Sequence, residues 1–243
     1  MLRLGRWLFC RTSRRSSCNS IEEAIERHTR ISREHLTPEI GLHLLTPDCP
    51  LYTVPLEDSE PVKYFEEPFW SIYWPGGQAV ARYILDEGKS FLGGGSRLLD
   101  IGAGCGAAAI AARMIGAGDV LANDIDEVAC VAARMNGRLN DLEIRTSSQN
   151  LLLQPRTSPG EFDVVVIGDL LYDEALASNL EAWLDGSLEP GTKILLGDPG
   201  RHGLGPSLRK RLRHLRTYPL PDNVRRENHG YAEAAVWQFM QRQ

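Results

Sequence analysis

Residues 98–114, LLDIGAGCGAAAIAARM, run from an apolar stretch through three glycines in five positions into an Ala-rich segment without a breaker. The apolar stretch predicts a buried strand and the segment after it predicts a helix. Gly102, Gly104 and Gly106 predict a tight turn between them, because glycine accepts positive φ and lets a ligand press against the backbone. The dinucleotide fingerprint spaces its glycines as GxGxxG so that a pyrophosphate can sit on the helix N-terminus. This chain has GxGxG, preceded by Asp100. The spacing is wrong for NAD and fits a cofactor without phosphates better.

From residue 96 the chain alternates regularly. Strands are predicted at 97–101, 119–124, 142–147, 162–168 and 193–197, with helices at 107–115, 127–139 and 174–185. That alternation implies a parallel sheet covered by helices on both faces. Before it, IEEAIERHTRISREHL and LTPEIGLHLLT read as two helices, the second with Thr37 as N-cap and Pro38 at its first position. Prolines through residues 46–69 predict a loop, and FWSIYWPGGQAVARYILDEG predicts an aromatic approach, a Pro-Gly-Gly break and a short helix. The tail predicts a helix near 206–214 and a last strand, AAVWQFM.

Charge divides the chain unevenly. Residues 1–20 carry Arg3, Arg6, Arg11, Arg14 and Arg15 and no acid, although the whole chain has a net charge of −5. An Arg-rich, Ser-rich, acid-free start has the composition of a mitochondrial transit peptide; a disordered basic tail is the alternative. The expected organisation is a transit peptide and N-terminal extension at 1–35 and a catalytic domain at 36–243, acting in the mitochondrial matrix. The acidic remainder argues against broad nucleic-acid binding. No run of about 18 apolar residues is present, so no membrane insertion is expected.

The five cysteines form no CxxC pair and the six histidines no HExxH spacing, so neither a disulfide framework nor a metal site is expected. Cys105, inside the glycine turn, reads as a small buried residue.

In an open α/β sheet the ligand sits beyond the carboxyl ends of the strands. Asp124 ends the second strand, where a carboxylate can accept hydrogen bonds from ribose hydroxyls; Asp126 suits the N-cap of the next helix. Gln149 and Asn150 follow the third strand. FDVVVIGDLLYDE, the fourth strand and its exit, places Asp169, Tyr172, Asp173 and Glu174 at the mouth of the site. A carboxylate beside an aromatic ring suits a cationic amine, whereas Asp173 and Glu174 also suit the dipole of the following helix.

The D-x-G-x-G-x-G arrangement resembles motif I of the class I S-adenosylmethionine-dependent methyltransferases. TPEIGLHLLTP, IYWPGGQAVARYIL, LLDIGAGCGA, LANDID, GDLLYDE, GDPGR and the tail from RREN to VWQF extend the likeness. Over residues 36–240 the chain resembles the mitochondrial seven-strand protein lysine methyltransferases with a D-x-x-Y motif, the group acting on the electron transfer flavoprotein β subunit. The resemblance implies a Rossmann-like α/β fold with a seven-stranded sheet and S-adenosylmethionine as cofactor. It places Trp74, Asp100, Gly102, Gly104, Gly106, Asp124, Asn150 and Asp169 around that cofactor, with Asp169 and Tyr172 at the acceptor lysine. It also implies a monomer with a protein substrate, and mitochondrial chaperones as import partners.

Methyl transfer from a sulfonium is an in-line displacement needing alignment and exclusion of water, with no metal. The acceptor is the difficulty, since freeing an amine with a pKa near 10.4 costs roughly 4 kcal/mol near neutral pH. Asp169 is therefore assigned to docking and aiming the amine. The rival readings are methylation of another protein such as a ribosomal protein, a non-catalytic S-adenosylmethionine-binding regulator, and an NAD-linked enzyme.

Overall fold

The structure, a computed structural model, describes residues 18–49, 52, 67–153, 161–186, 188, 191–201 and 205–241. Along the chain lie α1 (Cys18–His28), β1 (Arg30–Ser32), β2 (Leu42–Leu44), α2 (Pro75–Glu87), β3 (Arg97–Ile101), α3 (Ala107–Met114), β4 (Asp119–Asn123) and α4 (Glu127–Leu139). They are followed by β5 (Arg145–Ser147), β6 (Val164–Gly168), α5 (Glu174–Gly186), β7 (Lys193–Asp198), α6 (Pro206–Arg209), β8 (Leu212–Pro219), α7 (Asp222–Glu227) and β9 (Glu233–Phe239).

Seven strands form one sheet in the order β5-β4-β3-β6-β7-β9-β8, the first five parallel and β9 antiparallel to both its neighbours. The chain builds outward from β3 to β5, then restarts beside β3 with β6, so strand order reverses between β3 and β6. A ligand cleft belongs at the carboxyl ends of those two strands.

The central strands read as continuous apolar runs because both faces are covered. Leu98, Val164 and Val166 join a core with Val80, Ile84 and Ile110 of the α2 and α3 side. Leu99, Ile101, Val165 and Ile167 point the other way, into a core with Leu180 and Leu184 of α5. The alternation is the period-two geometry of a strand.

Three expectations are corrected. TPEIGLHLLT is not a helix: the Ile40 amide closes a turn on the Thr37 carbonyl, and Leu42–Leu44 pairs antiparallel with β1. The side-chain amides of Asn140 and Asn136 accept the backbone N–H groups of Gly41 and His43 at 2.8 and 2.7 Å, fixing an extended backbone that local propensity does not favour. The expected helix through residue 28 and beyond stops at His28, where β1 begins two residues later. The expected helix at 206–214 ends at Arg209, and Leu212–Pro219 becomes the edge strand β8 paired with β9.

The boundary at residue 35 is not a break in packing. Ala24 and Ile25 are buried in a cluster with Trp70 and with Ala129, Val131, Ala132 and Met135 of α4, and Arg138 pairs with Glu22 at 2.8 Å. Residues 18–35 are part of the folded body, while the five early arginines lie outside the described residues.

Candidate active site

The glycine turn has the backbone its sequence requires. Gly102, Gly104 and Gly106 sit at φ +65°, +52° and +79°, a region that costs most other residues about 1 to 2 kcal/mol. A Cβ on Gly106 would lie 2.8 Å from the Ala133 Cβ, so that glycine also serves packing against α4. Gly104 differs: the nearest neighbour of an added Cβ would be the Trp70 Cα at 3.7 Å, and it lines the cleft with Gly102, Ile72, Tyr73, Trp74, Asp169 and neighbouring residues.

Asp100 lies on β3, 4 % exposed, and its Oδ2 accepts the Ala109 amide of the first turn of α3 at 3.1 Å. A carboxylate therefore occupies the helix end where a dinucleotide-binding turn would receive pyrophosphate. That arrangement suits a cofactor without phosphates. Burial pushes the Asp100 carboxyl up to about 7, the Ala109 amide opposing the rise and the Asp124 charge adding to it. Cys105 is buried and its thiol is pushed up to about 12, first by burial, so it stands protonated as packing.

Asp124, just beyond β4, accepts the Gly104 amide on Oδ2 at 2.9 Å and the Asp126 amide on Oδ1 at 3.0 Å. It is raised by burial and held back by those two amides. Asp126 caps α4 by accepting the Val128 amide at 2.8 Å. Asn123 donates to the Ser147 and Gln149 carbonyls, both at 2.9 Å, and holds the exit of β5 against β4. Asn150 is exposed and does not line the cleft; its carbonyl accepts the Leu153 amide at 3.3 Å.

The other wall is built from the ends of β6 and β7, which stand in register as Gly168 and Gly197, each followed by aspartate. The Pro-Gly-Gly break predicted in the sequence is the start of α2, and it packs directly on these ends. A Cβ on Gly76 would lie 2.2 Å from the Gly197 carbonyl oxygen, and one on Gly168 would lie 2.7 Å from the Gly77 Cα. This contact brings the Gly77 amide to Oδ2 of Asp169 at 2.9 Å.

Asp169 is 7 % exposed and held at φ +57°, an uncommon conformation for a residue with a Cβ. Its Oδ1 accepts Arg201 Nε at 2.9 Å, and Arg201 Nη2 lies at the same distance from that oxygen. Burial pushes the Asp169 carboxyl up to about 6, with Arg201 and the Gly77 amide pulling against it. The guanidinium lies 5.4 Å from the centre of the Trp74 ring and 5.7 Å from that of Tyr231. Trp74, which caps α2, is fixed by its Nε1 donating to the Phe69 carbonyl at 3.0 Å.

Arg201 and Tyr231 were not assigned by sequence reasoning. The available signal was position: Arg201 follows the carboxyl end of β7 within GDPGR, where Asp198 Oδ1 accepts the Gly200 and Arg201 amides at 2.6 and 2.7 Å. Tyr172 is exposed beyond Asp169, its phenol raised by burial and by the charges of Asp173 and Asp124. Asp173 caps α5 through the Leu176 amide at 2.9 Å.

The sequence model of the family described as ribosomal protein L11 methyltransferase (PrmA) matches residues 83–177. A candidate RNA methyltransferase from Pyrococcus horikoshii superposes with a TM-score of 0.53 over 73 % of this chain and 89 % of its own, at 14 % identity, a likeness of fold. The electron transfer flavoprotein beta subunit lysine methyltransferase of Danio rerio is 40 % identical over 241 residues, 96 % of this chain and 90 % of its own. The human protein of the same name is 41 % identical over 223 residues, 90 % of this chain and 82 % of its own. With that identity spread over nearly its whole length, the chain belongs to the family of electron transfer flavoprotein β-subunit lysine methyltransferases.

Proposed function

We propose that this protein transfers methyl groups from S-adenosylmethionine to lysine side chains of the electron transfer flavoprotein β subunit. The reading rests on the near full-length match to relatives of that name. The Asp100–Ala109 contact supports it by fitting the turn to a phosphate-free cofactor. When bound, the cofactor supplies an electrophilic methyl on a sulfonium. In this reading Asp124 receives the ribose hydroxyls while clipping the Gly104 turn, and Trp74 borders the methionine end; Asn150, outside the cleft, takes no part. Asp169 and Tyr172 border the acceptor, where Asp169 orients the amine and Tyr172 shapes its channel. Incubating the purified protein with isotopically labelled cofactor and the isolated β subunit should place label on lysine. An unlabelled β subunit, in a reaction that labels ribosomal protein L11 instead, would replace this substrate with the one the matched family model is named for.

The Arg-rich, acid-free start supports import into the mitochondrial matrix as the place of action. Because α1 is packed on α4, the import signal in this reading lies within residues 1–17. A fusion of those residues to a fluorescent protein should enter mitochondria, and one with the five arginines replaced by glutamine should stay in the cytosol. Uptake indifferent to the arginines would remove the import reading.

A further inference from the structure

We propose that Arg201 is a positioning residue that neutralises Asp169, so that the acceptor lysine is received as an amine and is not held as an ammonium. The inference rests on the lysine-methylation reading above.

A carboxylate alone at the acceptor would work against the reaction. An opposite charge within about 4 to 6 Å raises the pKa of an ammonium by about 1 to 3 units. The lone pair that must attack would then be harder to free. In this structure the carboxylate is not alone: Oδ1 faces Arg201 Nε and Nη2, both at 2.9 Å, and Oδ2 holds the Gly77 amide. The pair presents little net charge to an incoming amine, while its oxygens keep lone pairs to orient an N–H.

Arg201 is built to stay. Its side chain is 13 % exposed between the Trp74 and Tyr231 rings, and its backbone amide is tied to Asp198 Oδ1 at 2.7 Å. A substrate lysine that displaced Arg201 from Asp169 would leave a buried guanidinium without its partner, a costly state. The charged groups facing the pair do not reverse this balance. From β7, the buried carboxyl of Asp198 acts to raise Asp169; burial raises Asp198 itself, while the loop amides on its Oδ1 and the charges of Arg201 and Arg209 pull the other way. From the exit of β6, Asp173 is exposed and engaged as a cap, with the Tyr172 phenol beside it. Across the mouth, Asp124 is held by two amides and Glu67 is exposed, where solvent and salt screen it. From α2 and the approach to β9 come the uncharged Gly77, Trp74 and Tyr231.

The test compares the pH dependence of kcat/KM for wild type, R201Q, R201K and the double variant D169N/R201Q, with the β subunit as acceptor. R201Q should lose at least tenfold at pH 7, and its rising limb should move up by about one pH unit or more, so that most activity returns near pH 9. R201K should keep the wild-type limb. The double variant, with both charges gone, should return to the wild-type limb even at a lower maximum. A limb unmoved in R201Q overturns the proposal, as does a fall in KM with a rise in kcat, which would make Arg201 an obstacle to the lysine.

Melting temperature and cofactor affinity confirm that each variant is folded. If R201Q does not fold, the double variant decides, because it buries no unpaired charge: a limb displaced from wild type overturns the proposal. Carbon-13 titration of the Asp169 carboxyl gives a readout independent of turnover, and Arg201→Gln should raise its midpoint by about one unit or more. An unmoved midpoint overturns the neutralising pair. A wild-type protein that leaves the β subunit unmethylated overturns the substrate reading alone, and the carboxyl titration then decides the pair.

Discussion

Asp124 accepts the Gly104 amide hydrogen at 2.9 Å, so the acid at the end of β4 is a clip on the glycine turn at the end of β3. The same carboxylate accepts the Asp126 amide on its other oxygen, which fixes its orientation at the cleft. Asp124→Ala should weaken S-adenosylmethionine binding by about 1 to 3 kcal/mol, because ribose hydroxyls lose a charged acceptor and the turn loses its clip. Calorimetric titration measures this, and an unchanged affinity would remove Asp124 from the cofactor site.

The glycines of the turn should separate by the space behind them. Gly104→Ala meets backbone strain at φ +52° but no close neighbour, so it should cost about 1 kcal/mol of stability and weaken cofactor binding at the cleft. Gly106→Ala adds a Cβ 2.8 Å from the Ala133 Cβ on top of its own strain, and should cost about 3 kcal/mol. Urea unfolding of the ligand-free variants distinguishes the two; equal losses would mean that α4 yields to the new methyl group.

The parallel strands β3, β4, β6 and β7 were legible as short apolar runs closed by glycine or aspartate, and the helices by their alternation with them, whereas β5, Arg145–Ser147, is polar and shorter than the predicted 142–147. Leu42–Leu44 was not legible as a strand, since besides its pairing with β1 the extended backbone at Gly41 and His43 is held by the side chains of Asn140 and Asn136, more than 90 residues away. The segment at 210–214 is rich in good helix formers, yet pairing with β9 overrides that preference. The turn acids of the site follow from strand ends. Arg201 meets Asp169 across 32 residues, through the parallel pairing of β6 and β7 whose ends precede them, and no local spacing encodes that convergence.

His35 gives a pH dependence with a definite sign. It is 6 % exposed, its Nδ1 lies 3.2 Å from the Thr37 hydroxyl, and burial lowers it from 6.5 to about 4. Between those values the unfolded chain binds a proton that the folded chain refuses, so this residue's contribution to stability falls as pH falls from 6.5 to about 4. The loss amounts to roughly 3 kcal/mol. Asp100 acts oppositely: its folded pKa is raised, so its contribution is present at low pH and lost as pH rises through about 7. Comparing wild type with His35→Gln isolates the histidine: the difference in unfolding free energy should shrink toward acid pH. A constant difference from pH 7 to 4.5 would show that His35 titrates normally.

Asp169→Asn tests whether the acceptor side needs a carboxylate or merely a polar cap. The amide keeps the size and can still accept the Gly77 amide, but it leaves the Arg201 guanidinium, 13 % exposed, without its charge partner. The charged oxygen that orients the amine is then replaced by a weaker acceptor beside an uncompensated buried cation, so methylation of the β subunit should fall at least about tenfold, equivalent to roughly 1.4 kcal/mol in the transition state. Cofactor affinity should change little, because Asp169 stands on the wall opposite the Asp124–Gly104 clip. Asp124→Ala should give the reverse pattern, impaired binding with rate recovered at high cofactor concentration. Measuring affinity, melting temperature and methylation rate on both variants separates the two walls. If Asp169→Asn methylates at the wild-type rate, Asp169 does not orient the acceptor, and the lysine must enter by another part of the mouth.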